Sequence, residues 1–259
     1  MAIVIENVVL PYSGLRIPSW RAPDRGLYGV VGPNGSGKSQ FFSLLYGGLK
    51  VPTGTVSVTA RVGCVMQHPE HQLTESSVAE ELLWAFGGTK HTDPRWRRRV
   101  DQTVARWQLE PIWNQSPWTL STGQKRRVVL AVYDLLDPEV LLMDEPTEGL
   151  DRFWRTNLKN WLISEKSARL ILIISHDWTW LLSFIETGFW CERVLDSTAA
   201  DLGRLWYCHN QPASSPLEEL WRELLSRNAP VSFRGWIDSE RALQQVVKLW
   251  NQVQHRQIP

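Results

Sequence analysis

The sequence predicts an α/β fold built on a mostly parallel sheet, and three observations carry that reading. Continuous apolar runs recur between turn residues, in "GLYGVV" before Gly32, in "VLLMD" and in "RLILIIS". Runs of this kind suit strands covered on both faces, where no polar alternation is needed. A glycine-rich segment, "GPNGSGKS", stands between the first of these runs and a helical pattern. From about Glu75 to Gln108 helical periodicity takes over, in "SSVAEELLWAF" and "RWRRRVDQTVARWQL", which inserts a helical part between portions of the sheet.

Taken in order, residues 1–31 alternate short apolar runs with turn residues. Phe41, Phe42, Leu44 and Leu45 mark the buried face of a helix that Gly47 and Gly48 end. "RVGCVMQ" reads as a further strand ahead of the helical insertion. Beyond the last strand, "QPASSP" reads as a linker or long loop. Two helices are expected after it. Leu217, Leu220, Trp221, Leu224 and Leu225 share a face of the first, and Leu243, Val246, Val247, Trp250 and Val253 a face of the second, with Asp238 or Ser239 as N-cap. Such stripes either pack on their own domain or meet another subunit.

Composition narrows the classes. The 259 residues carry 28 basic and 27 acidic side chains, a formal net charge of +1, so nothing marks a nucleic-acid partner. Arg97, Arg98 and Arg99 form a tight basic run, expected on a solvated helix face rather than in an anion site. Three cysteines, Cys64, Cys191 and Cys208, fit neither a disulfide framework nor a zinc ribbon, and a reducing compartment follows. The N-terminus lacks a charged leader pattern, and no apolar run approaches the roughly 18 residues that span a bilayer. Tryptophan is frequent, with 15 residues, several at isolated polar positions such as Trp96, Trp113, Trp118, Trp178 and Trp180.

The chemistry concentrates in a few segments. Gly32-Pro33-Asn34-Gly35-Ser36-Gly37-Lys38-Ser39 matches the phosphate-loop pattern in full. Its glycines let successive N–H groups and a helix N-terminus face a di- or triphosphate, Lys38 neutralises the outer phosphates, and Ser39 offers a hydroxyl to Mg²⁺. Asp144 and Glu145 end an apolar strand, where Asp144 is placed to hold Mg²⁺ through water and Glu145 to orient or deprotonate an attacking water. His176 ends the next apolar strand beside the same sheet edge; alone, such a residue is more often a structural histidine. In "VMQHPEHQL", His68 and His71 flank Pro69 and Glu70 at a spacing open to a zinc site.

The segment "LSTGQKRR", Leu120 to Arg127, changes the reading. With Lys38, Gln67, Asp144, Glu145, "GLD" at Gly149 to Asp151, and His176, it makes residues 1 to about 200 resemble an ATP-binding cassette (ABC) ATPase, six motifs standing in family order. The resemblance implies a domain over 1–210, with a helical signature subdomain at about 75–130, and a small C-terminal helical extension over 211–259. It implies two ATP molecules sandwiched in a head-to-tail dimer. Each would meet the phosphate loop of one subunit and Ser121, Thr122, Gly123 and Gln124 of the other. By the same resemblance Gln67 joins Ser39 and Asp144 around Mg²⁺, Glu145 is the general base, His176 contacts the γ-phosphate, and Asp151 crosses the interface. Tyr12, about twenty residues ahead of the loop, fits the aromatic that stacks on adenine, or is an ordinary strand-end tyrosine. Two departures stand out: Gln40 where the family has a small hydroxyl residue, and Thr122 in place of the middle glycine of the signature. Gln40 can still donate to an α-phosphate oxygen and Thr122 keeps its N–H, so altered affinity or rate is expected rather than loss.

Gln67-His68-Pro69-Glu70-His71-Gln72 is also similar to the Gln-Asn-Pro-Asp-x-Gln loop of ATPases in energy-coupling factor (ECF) importers of vitamins, cobalt or nickel. "VAEELLWAFG" and "PTEGLD" share that likeness. It implies a second ATPase subunit, identical or related, a transmembrane coupling subunit docking beside Glu70, and a separate solute-binding membrane subunit. The place of work would be the cytoplasmic side of the cell membrane, held there peripherally. An ABC importer ATPase of another type is the first alternative, and a soluble ABC ATPase acting on DNA or ribosomes the second. In this light the histidines belong to a loop leading to the ATP centre and no zinc is expected there.

Overall fold

In Val140–Asp144 (β6) and Leu170–Ile174 (β7) every residue but Asp144 is buried, and the two strands lie side by side in parallel register from Val140↔Leu170 to Asp144↔Ile174. Successive side chains of a strand point to opposite faces. Leu141, Met143, Ile171 and Ile173 accordingly enter one core, and Val140, Leu142, Leu170, Leu172 and Ile174 the other. The apolar runs are continuous because both faces are covered. The computed structural model describes residues 3–31, 35–85, 94–177, 180–181, 183–185, 187–192 and 204–208. The expected linker and the helices over 211–259 lie outside the described residues.

The remaining strands are Ile3–Val9 (β1), Arg16–Arg21 (β2), Gly26–Val31 (β3), Thr55–Val58 (β4), Val62–Val65 (β5), Thr187–Glu192 (β8) and Arg204–Cys208 (β9). Among the described residues they form one nine-stranded sheet in the order β4-β1-β2-β9-β8-β3-β7-β6-β5. From β5 to β8 every pairing is parallel, whereas β1 pairs antiparallel with β2 and β4, and β8 with β9. The mostly parallel sheet is thus confirmed for the half that bears the motifs, and the other end is mainly antiparallel, with β2 meeting β9 in parallel at Arg16↔Arg204. β8 and β9 have no counterpart among the strands expected above.

Lys38–Leu45 (α1) covers one face with Phe41, Phe42, Leu44 and Leu45. Thr122–Leu136 (α4) and Arg152–Glu165 (α5) cover the other. The helical insertion consists of Val78–Trp84 (α2), Pro94–Trp107 (α3) and short 3₁₀ turns at Pro69–Gln72, Glu110–Ile112 and Pro117–Thr119. α2 starts where the Ser77 hydroxyl accepts from Glu80 N, an ordinary N-cap. Glu81 on α2 is buried, and its carboxylate accepts the Thr74 and Glu75 main-chain N–H groups, which ties α2 to the turn after Gln72. Burial pushes the Glu81 carboxyl above its ordinary range.

A polar contact fastens α3 to α4. The buried Asp134 carboxylate accepts from Arg106 at 2.7 Å and from the Trp107 indole N–H at 3.2 Å. Arg97 and Arg98 are exposed as expected, but Arg99 turns back to Asp134 O at 3.0 Å and to Asp137 at 3.4 Å, so the run is only partly a solvated face. Trp96 is buried and Trp180 donates to Arg155 O while packing edge-on against Phe184, so these tryptophans are structural; Trp118 is exposed. Replacing Asp134 by Ala would orphan the buried Trp107 N–H, whereas half-exposed Arg106 can turn to solvent. Loss of about 2 kcal/mol of unfolding free energy is expected in denaturant titration.

Candidate functional site

Parallel strands bring their C-terminal ends to one edge, and there the motif residues meet. β3 delivers the glycine-rich loop, β5 delivers Gln67, β6 ends in Asp144 and Glu145, and β7 leads to Ser175 and His176. Gly32, Pro33 and Asn34 lie outside the described residues. Gly35 and Gly37 both have positive φ, and Gly37, at 98°, caps α1. A Cβ on Gly37 would stand 2.4 Å from Ser13 Oγ, so both backbone and space demand glycine. The cradle fits a phosphate in another respect. Ser36 Oγ is buried and has no hydrogen-bond partner among the described residues, a state that a phosphate oxygen would relieve.

Lys38 follows, buried against the strand ends, and burial lowers its pKa while the charges of Cys191, Asp144 and Glu145 oppose the shift. Asp144 is pushed up by burial, and a hydrogen bond with Ser39 pulls it back, with Lys38, His176 and Arg126 adding to the pull. The Ser39–Asp144 contact joins the two residues best suited to a hard divalent cation with oxygen ligands.

Glu145 sits at φ 49°, in the left-handed region, with its N–H bonded to Ile174 O at 2.9 Å. Its carboxylate accepts from Ser175 Oγ at 3.3 Å, and the other oxygen is buried without a hydrogen bond, 3.6 Å from His176 Nε2. Burial first, and the Asp144 charge with it, push the Glu145 carboxyl up to about 7. A carboxylate of that pKa with a free oxygen is suited to take a proton from water near neutrality. His176 is largely exposed, and burial and Lys38 lower its pKa.

Gln67 presents an exposed side chain on a firmly held main chain. Gln72 accepts from Met66 N at 2.7 Å and donates to Cys64 O at 2.7 Å and Tyr133 OH at 2.9 Å. From α4, Arg126 donates to Met66 O at 2.6 Å and to Gln67 O. His68 and His71 lie with ring centres 5.5 Å apart, and His68 Nδ1 is 3.5 Å from Glu70 Oε1. Among the described residues no group of three or more His, Cys, Asp or Glu is placed to hold a metal ion. The exposed Glu70 carboxyl is drawn below its ordinary value, mainly by its own main-chain N–H and further by the two histidines.

The signature residues open α4. Ser121 and Gln124 form a reciprocal capping box, with Ser121 Oγ accepting from Gln124 N at 3.3 Å and Gln124 Oε1 from Ser121 N at 2.8 Å. Thr122 and Gly123 pack on Gly149: a Cβ on Gly149 would meet the Thr122 methyl at 2.9 Å, and one on Gly123 would meet Gly149 O at 2.6 Å. Thr122 therefore spends its methyl on its own chain. Asp151 caps α5 by accepting Trp154 N at 2.9 Å. Trp154 in turn lies under the Arg127 guanidinium at 4.4 Å.

The departure at Gln40 has a structural use. Its Oε1 accepts from Ser13 N at 3.1 Å and Ser13 Oγ at 2.9 Å, which anchors the turn bearing Tyr12 to α1 and leaves only the amide N–H₂ as a donor to a ligand. Tyr12 itself is 83% exposed. The residues not foreseen as part of the site are Arg126, Gln72 and Ser175. Arg126 was visible only as one of two adjacent arginines, and Gln72 only as the last residue of the Gln-x-Pro-x-x-Gln pattern.

The model of the ABC transporter family matches residues 15–148. The energy-coupling factor transporter ATP-binding protein EcfA2 of Symbiobacterium thermophilum is 32% identical over 220 residues, covering 75% of this chain and 74% of its own length. The protein of the same name from Clostridioides difficile is 31% identical over 205 residues, with 68% and 70% covered. Among solved structures, cbiO1 of Clostridium perfringens, described as part of the ABC transporter complex cbiONQ, superimposes with a TM-score of 0.64 at 24% identity, covering 96% of this chain and 98% of its own. An ATP-binding subunit of an ABC transporter does so at 0.69 and 18% identity, covering 96% and 100%.

The Glu145 shift makes stability depend on pH. An acid whose folded pKa is raised stabilises the fold fully below its unfolded value of 4.5 and loses that contribution as pH rises through about 7. The shift corresponds to about 3 kcal/mol. Denaturant titration without nucleotide or magnesium should find Glu145→Gln increasingly more stable than the parent from pH 5 to pH 8, the glutamine also sparing Asp144 a neighbouring charge. Parallel pH profiles would contradict the assignment.

Proposed function

Because the chain belongs to the ABC transporter family and is an ATPase of that kind, we propose that it works in a head-to-tail pair that drives solute uptake through ECF-type membrane subunits. The observation that carries the catalytic part is the strand end itself, where the desolvated Asp144–Glu145 pair shares one edge with Lys38 and the unpartnered Ser36 hydroxyl. Glu145 takes the proton of the attacking water, Lys38 and the loop N–H groups bind the phosphates, and His176 contacts the terminal one. Ser39, Gln67 and Asp144 would hold Mg²⁺, which supplies neutralisation of phosphate charge when bound.

The cap of α4 supports pairing. A helix N-terminus carries a positive dipole end and spare N–H groups suited to a γ-phosphate. The Ser121–Gln124 box and the Gly149 contact support a rigid N-terminus of this kind offered to the partner's nucleotide. Tyr12 serves as the adenine platform, on a turn held by Gln40. Among the described residues no helix is long and apolar enough to cross a membrane, so attachment would come through the coupling subunit, beside Glu70, on the cytoplasmic side. The naming of the relatives as ECF transporter ATP-binding proteins supports this importer type over others.

Glu145→Gln should lower ATP turnover about a hundredfold or more while ATP binding persists. Steady-state hydrolysis beside nucleotide affinity measures this, and undiminished turnover would refute the role. Purification from detergent-solubilised membranes should recover a small integral coupling subunit and a solute-binding membrane subunit with the ATPase. Recovery with ribosomes or DNA instead would overturn the importer reading. Glu70→Lys should weaken that recovery and spare ATP binding.

A further inference from the structure

Arg126 is a buried cation whose position the chemistry above does not use. It is 0% exposed, the carboxylates of Glu148, Glu70, Asp144 and Glu145 favour its charge from a distance, and its hydrogen bonds among the described residues go to two neutral carbonyls, Met66 O at 2.6 Å and Gln67 O, with Nε left without a hydrogen bond. Withdrawing a guanidinium from water costs several kcal/mol, and an apolar side chain of similar volume could fill the space without that penalty. What an apolar chain could not do is grip two successive carbonyls, which the planar fork of arginine does.

Tyr133 stands seven residues further along α4, on the same helix face, and bonds the Gln72 side chain that holds Met66 N and Cys64 O. The segment from Cys64 to Gln67 is therefore fastened to α4 from both ends. β5 ends at Val65, so Met66 and Gln67 have left the sheet ladder when Arg126 takes them. α4 is the helix whose first turn carries Ser121, Thr122 and Gly123, with Thr122 and Gly123 packed on Gly149.

We propose that Arg126 is a positioning residue that holds the main chain of Met66 and Gln67 against α4 and so fixes where the Gln67 side chain stands relative to Asp144. The proposal rests on the reading of Gln67 as a magnesium-ATP residue, while the grip itself does not.

The test uses the full chain with Arg126→Met and Arg126→Lys. Amide hydrogen exchange of nucleotide-free protein should rise about tenfold across residues 65–72 in Arg126→Met, the scale of losing charge-assisted hydrogen bonds, with β6 and α1 unchanged. Arg126→Lys, which can reach one carbonyl, should give a smaller rise in the same segment and decides the matter if the methionine variant does not fold. Mn²⁺ affinity of the ATP complex should fall about tenfold in Arg126→Met and be partly restored by lysine, with ATP binding in EDTA unaltered. Exchange like the parent's in residues 65–72, or a rise spread equally through β6 and α4, would overturn the proposal. If the parent chain binds no ATP, the functional reading fails, and the exchange data still judge the grip.

Discussion

The withdrawal of charge from water at one edge of the sheet is the constraint around which the molecule is arranged. Lys38, Asp144, Glu145 and Arg126 all feel burial as the leading influence on their protonation. None of these charges is tolerable alone in a low-dielectric interior. Each is offset by its neighbours, Lys38 and Ser39 acting on Asp144, Ser175 on Glu145, and loop carbonyls on Arg126. Parallel strands make this possible because their ends supply successive side chains from different parts of the chain to one small region.

That crowding also explains the chemistry. A carboxyl held up to about 7 by burial and by Asp144 is a base able to work near neutral pH, whereas an exposed glutamate would be too weak. Phosphate charge and a divalent cation would alter the same balance. On the proposed function, ligand binding at this edge would be inseparable from the protonation of the residues there.

α4 joins the edge to the rest. Its first turn packs on Gly149 next to Asp151, Arg127 lies over Trp154 on α5, and Arg126 and Tyr133 hold the loop of Gln67 directly or through Gln72. Asp134 near its far end binds α3. A helix held at so many points moves as a body, and segments distant in sequence move with it.

The phosphate loop, the acidic strand end and the signature were legible in the sequence because each is a local pattern: glycines that a tight loop requires, carboxylates closing an apolar run, a capped helix start. The continuous runs of β6 and β7 likewise announced strands covered on both faces. Other features depend on partners far apart in the chain. Gln40 showed only a possible ligand donor in the sequence, and that its oxygen anchors Ser13, 27 residues away, emerged only from the fold. Arg99 looked solvated until the end of α4 was folded beside it. Arg126 was one of a pair of arginines of which one meets carbonyls 59 and 60 residues earlier and the other a tryptophan face. By itself, then, the sequence determined the fold class and which chemical groups gather at one sheet edge, since these follow from periodicity and short motifs. Tertiary structure alone decided which polar side chains hold the site in place, because a buried hydrogen bond is defined by the group across the space and not by the neighbours along the chain.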